Sequence, residues 1–139
     1  MKPSCIRTYA TLCIYSDTEK NLASLVFRLT GLRPSRVVAN DRRSFKGHVI
    51  PRYGWFLSSQ EDVFSLDVSE HISWILRQME GGTDLGGLAD AGCRVRISCL
   101  WESEGLGGGP ALDQSLLRRL ADQSIDLEFD IYFSEEGEA

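Results

Sequence analysis

Two carboxylates, Glu102 and Glu104, stand directly before four glycines in five residues, Gly105, Gly107, Gly108 and Gly109, in the stretch CLWESEGLGGGP. Such a run could cradle a phosphate, because successive backbone N–H groups without side chains in the way converge on an anion at a helix N-terminus. The supporting chemistry is absent. No Lys-Ser or Lys-Thr follows the glycines, Pro110 stands where a dinucleotide fingerprint needs its third glycine, and the two glutamates would repel an anion. Nor does the pair have a neighbouring His or Lys that would make it an acid/base dyad. No serine sits in a nucleophile-elbow pattern. Cys5, Cys13, Cys93 and Cys99 are not spaced C-x-x-C, and His48 and His71 lie far along the chain from any cysteine pair, so no metal and no cofactor is expected.

The chemistry that remains is recognition. Arg94 and Arg96 alternate with apolar residues in one segment, and Asp126, Glu128 and Asp130 do so in another. If the two segments pair, the arginines stand opposite the acids on one face of a sheet, with Tyr9, Tyr15 and Tyr132 as companions. The plain reading is a solvated ladder of ion pairs, each contributing about 0 to 1 kcal/mol. The sharper one is a recognition surface, since tyrosine and arginine are favoured at the centres of protein interfaces. A second candidate is a pocket for a small ligand or substrate bounded by Trp55, Trp101, Glu102, Gly107 and Gly108, around the 105–110 glycine loop.

Elements must position these groups. Ile6, Ala10, Leu12 and Ile14 alternate with Arg7, Tyr9, Thr11 and Tyr15, which predicts a half-buried strand over 6–16. Asp17 or Thr18 would cap a helix through Leu22, Leu25, Val26 and Leu29, stopped at Gly31. Short strands follow around 35–39 and 53–58. Asp67 begins a capping box for a helix carrying Ile72, Ile75, Leu76 and Met79, and a shorter helix runs to Gly92. Cys93, Val95, Ile97, Cys99 and Trp101 mark the clearest strand, which the glycines connect to a helix capped by Asp113. DLEFDIYF closes the series, with Leu127, Phe129, Ile131 and Phe133 on one side.

The order β-α-β-β-α-α-β-α-β, with each long strand apolar on one side, predicts an α+β two-layer sandwich: a mostly antiparallel or mixed sheet with its helices on one face. A weak internal echo, LVFRL at 25–29 against LLRRL at 116–120 and CIY at 13–15 against CLW at 99–101, hints at a duplicated plan, although its register is off by one. One domain is expected over 1–133, followed by an acidic, flexible tail at 134–139.

Twenty acidic against fifteen basic residues give a net charge of -5, which disfavours nucleic acid and anionic membranes as partners. No apolar run has the length of a membrane span, and the first residues lack the core of a signal peptide, so a cytoplasmic location is expected. The segment 33–52 is locally basic, and Arg42, Arg43 and Lys46 make it a candidate docking loop for an acidic protein. It lacks the interleaved aromatics of a nucleic-acid platform.

YATLCIY at 9–15, GLRPSR at 31–36, WFLSS at 55–59, HISWIL at 71–76, CLWESEGLGGGPAL at 99–112 and DLEFDIYF at 126–133 together resemble a bacterial family known as domain of unknown function 4279. The resemblance implies a small, stand-alone, cytoplasmic bacterial domain, and it carries over no reaction, cofactor or catalytic residue. The stretch 40–52 matches the family pattern least. The expectation is a protein-interaction module, most concretely an immunity-type protein that neutralises a toxin by binding it. The alternative is a ligand-binding or enzymatic domain using the glycine-loop pocket.

Overall fold

Alternating sequence becomes strand throughout, and the computed structural model, which describes residues 5–40, 44–105 and 107–134, assembles the strands into one mixed sheet. In chain order the elements are β1 (Cys5–Ser16), α1 (Leu22–Thr30), β2 (Arg36–Ala39), β3 (Ser44–Phe45), β4 (His48–Val49), β5 (Tyr53–Ser58), α2 (Val68–Gln78), α3 (Leu85–Asp90), β6 (Arg94–Glu104), α4 (Gln114–Asp122) and β7 (Asp126–Ser134). The five-stranded sheet runs β2-β5-β1-β6-β7, antiparallel except for the parallel pair β6 and β7. The fold is thus the α+β sandwich expected, in the expected order, with one addition. β3 and β4 form a separate hairpin in the basic segment, turning through Lys46 at φ 49° and Gly47 at φ 81°. Two successive positive φ values match the turn that suits the right-handed twist of paired strands. Ser134, expected to begin the tail, instead ends β7, and Arg42, Arg43 and residues 135–139 lie outside the described residues.

The core fills the space between sheet and helices. Ala10, Leu12 and Ile14 of β1, Trp55 of β5, and Ile97, Cys99 and Trp101 of β6 meet Val26 of α1, Ile72, Ile75 and Leu76 of α2, Leu88 of α3, and Leu116 and Leu120 of α4. Burying each large aliphatic side chain contributes about 1.5 to 3 kcal/mol. Caps fix where helices begin: the Asp67, Asp84 and Asp113 carboxylates accept the N–H groups of Ser69, Gly87 and Leu116. α1 differs from expectation. It starts at Leu22 after Asn21, without a side-chain cap, because Ser16 Oγ takes the N–H groups of Thr18 and Glu19 and makes that segment a turn.

One buried polar joint ties the layers together. Ser59 Oγ accepts the Ala10 N–H at 3.0 Å and lies 2.7 Å from His71 Nδ1, while His71 Nε2 lies 2.7 Å from the Ser65 carbonyl. A carbonyl can only accept, so Nε2 carries the proton, and Nδ1 accepts from the Ser59 hydroxyl. Both side chains are buried, and every polar atom in the joint has a partner.

Ile6, expected to face the core, is 42% exposed. The pairing of β1 with β6 shifts register between Cys5 and Arg7, and this bulge displaces Ile6 from the alternation. The internal echo does not extend to topology. β5 separates β1 from β2, whereas β6 and β7 are direct neighbours. Among the described residues, no helix is long and apolar enough to cross a membrane.

Candidate functional site

Alternate residues of each strand point away from the helices, and on that open face pairing register creates rows. One row crosses all five strands: Arg36, Phe56, Cys13, Arg96 and Asp126. The next joins Ser58, Thr11, Ser98 and Glu128, and a third joins Tyr9, Leu100 and Asp130. From these rows Phe56, Cys13, Arg96, Thr11, Ser98, Glu128, Tyr9, Leu100 and Asp130, with Tyr15, line a concavity of about 300 Å³.

Rings and guanidinium groups shape it. The Tyr15 and Phe56 rings meet edge to face at 5.8 Å, with planes 79° apart. Arg96 Cζ lies 4.9 Å from the Tyr15 ring centroid, its Nη2 donates to Tyr15 Oη at 3.1 Å, and its Nη1 is 3.4 Å from Glu128 Oε2. Arg36 stacks on Phe56 at 4.9 Å and Arg7 on Tyr9 at 5.6 Å. Such cation–π contacts each contribute about 0.5 to 1 kcal/mol where exposed. The half-exposed Arg96–Glu128 pair adds little more. Arg96 Nε is buried without a hydrogen-bond partner among the described residues, so the guanidinium is held by the ring and its two outer nitrogens.

Gly54 makes the arrangement possible. A Cβ at Gly54 would come within 2.9 Å of Phe56 Cζ, so the ring folds back over a position that has no side chain. Beneath lies Cys13, whose thiol is pushed up from its ordinary pKa chiefly by burial, as is the Tyr15 phenol. A thiol held neutral is the reverse of an activated nucleophile. The surface is suited to contact: aromatic rings at its centre, a cation clamped above one of them, and acids along one wall.

Of the side chains singled out by sequence, the structure brings together Tyr9, Tyr15, Arg96, Glu128 and Asp130. Arg94 sits one pairing position beyond, with its Nη2 3.9 Å from Asp17, and with Arg96 it borders a neighbouring cleft of about 710 Å³ between α3, the end of α4 and β6. Lys46 is exposed in the β3–β4 turn. Phe56, Cys13, Thr11, Ser98 and Leu100 join them without having been expected at a site, although Thr11 falls on the expected polar side of β1. Phe56 had a usable signal, since alternation puts it opposite to its neighbour Trp55.

The glycine-loop pocket is not assembled from its expected residues. Trp55 and Trp101 are 0% and 4% exposed and face the helices, whereas Glu102, next along β6, points to the open face. Trp55 lies level with Ile14 and Trp101 level with Thr8, about 20 Å apart along β1. The glycines do connect β6 to α4, and Gly107 and Gly108 are exposed. Among the described residues, no group of three or more His, Cys, Asp or Glu side chains could hold a metal ion.

A family model described as Domain of unknown function (DUF4279) matches residues 6–134. No curated protein and no solved structure matches the chain.

Proposed function

The chain belongs to the DUF4279 family, and from that premise we propose that it is a cytoplasmic bacterial protein-interaction module whose open sheet face engages a protein partner. Its most concrete form is an immunity-type protein that masks a toxin. One observation carries the reading: a face that, among the described residues, no helix covers presents Tyr9, Tyr15 and Phe56, each stacked with an arginine, around a shallow concavity. Aromatic and arginine side chains provide most of the binding energy at protein interfaces. Here the contacts within the chain fix their rotamers before any partner arrives, which lowers the entropy lost on binding.

The test is co-expression with the product of the adjacent reading frame. The wild-type chain should form a stable complex and relieve any toxicity of that product. Tyr15→Ala together with Phe56→Ala should weaken the complex by at least about a hundredfold, the loss of two hot-spot residues. A complex unaffected by the double variant would overturn the assignment of the face, and the absence of any complex would overturn the function.

A further inference from the structure

We infer that the free edge of β7 receives an extended segment of the partner, in which basic and apolar residues alternate. The inference rests on the interaction reading above and deepens it by naming the partner's chemistry at one border of the open face.

β7 is a nine-residue edge strand, with β6 on one side and, among the described residues, no strand of the sheet on the other. The Gly105 N–H donates to the Ser134 carbonyl, which turns the backbone of Ser134 toward β6. By the alternation of a strand, Leu127, Phe129, Ile131 and Phe133 direct their N–H and C=O groups outward. Neither proline nor lysine interrupts β7, and its charged guards are three acids, which repel another acidic edge and leave a basic strand as the fitting neighbour. The opposite edge, β2, has only four residues.

Side chains specify what would fit. On the open face β7 presents Asp126, Glu128 and Asp130, of which Glu128 is already paired with Arg96. On the helix side Ile131 and Phe133 remain 43% and 45% exposed, outside the core against which Leu127 and Phe129 pack. An added strand with Lys or Arg on one face and apolar residues on the other would meet the acids and cover both hydrophobes while completing the backbone ladder. A second copy fits less well: antiparallel overlap of the full strand would set Asp130 against its own counterpart.

The test uses the full chain and two synthetic nonapeptides, one alternating Lys and Val and the other alternating Glu and Val, with binding read by fluorescence polarisation and backbone amide hydrogen exchange. The Lys-Val peptide should bind and slow exchange at the outward amides of Leu127, Phe129, Ile131 and Phe133. Ile131→Pro, which removes one outward donor, should weaken binding about tenfold. The combined Asp126→Asn, Glu128→Gln and Asp130→Asn variant should do the same without altering the ladder, and it carries the test if the proline variant fails to fold. Lys20→Ala, at an exposed position beside β2 on the opposite edge of the sheet, should leave peptide affinity unchanged. Equal binding of the Glu-Val peptide, or no protection at the four amides, would overturn the inference. A concentration-dependent dimer protecting the same amides without peptide would also overturn it, by assigning the edge to a second copy. If these fail while Tyr15→Ala with Phe56→Ala still abolishes the natural complex, the face reading stands and the edge inference alone is lost.

Discussion

Trp55 and Phe56 are consecutive in β5 and point to opposite sides of the same sheet. Trp55 has no exposed surface and is surrounded by core residues, whereas Phe56 is half-buried under Arg36 and against Tyr15. Helices satisfy one face of the sheet, and on the other the side chains satisfy one another. The difference shows where stability and recognition are separated: residues removed from water by helices hold the fold, and residues stacked on their own neighbours remain available to a partner.

The widest gap should appear between these two neighbours. Trp55→Ala should cost about 3 to 5 kcal/mol in denaturant unfolding, and Phe56→Ala about 1 to 2 kcal/mol. Similar losses at both sites would break the contrast. Trp55→Phe should be far milder than Trp55→Ala, because the indole Nε1 is buried without a hydrogen-bond partner among the described residues.

Cysteines on the two faces sharpen the comparison. Burial pushes the Cys99 thiol, on the core side, up to about 12 from an ordinary 9.0. The unfolded chain therefore releases a proton that the folded chain retains, and stability should fall as pH rises from about 9 to about 12. Cys99→Ala should flatten that fall in urea titrations across the same range, and Cys13→Ala, on the open face, should flatten it less. The smallest effect belongs to Arg96→Gln. Removing a partly exposed cation from Tyr15 and Glu128 should change stability by no more than about 1 kcal/mol. A loss several times larger would mean that the open face supports the fold as strongly as the core does.

The layered fold was legible because alternation is a strong signal wherever one side of a strand is buried. Cys93 to Trp101 and Ala10 to Ile14 placed β6 and β1 correctly, and Asp67 and Asp113 marked two helix starts. Misreadings arose where a local contact overrides the pattern. A bulge moves Ile6 out of register, and the Ser16 hydroxyl takes the N–H groups that Asp17 or Thr18 was expected to organise. The β3–β4 hairpin escaped notice because lysine is an unusual residue at positive φ. Half of the site was legible for the same reason as the strands: Tyr9, Tyr15, Arg96, Glu128 and Asp130 fall on polar sides. Phe56 and Cys13 look like core residues by type, and only pairing across strands reveals that they line the open face. Two tryptophans near strand ends suggested a pocket, but separation along β1 is a property of register that composition does not carry.

The Ser59–His71 joint has a direction. Each hydrogen is handed one way, from the Ala10 amide to the serine, from the serine to the imidazole, and from the imidazole to the Ser65 carbonyl, so no member can turn around without stranding another. Opening one of these bonds leaves a buried group without its partner, so the three should tend to open together. The crossing from β5 into α2 should release as one unit, and the outward Phe64 carried between its two ends should keep a fixed bearing for as long as the joint holds.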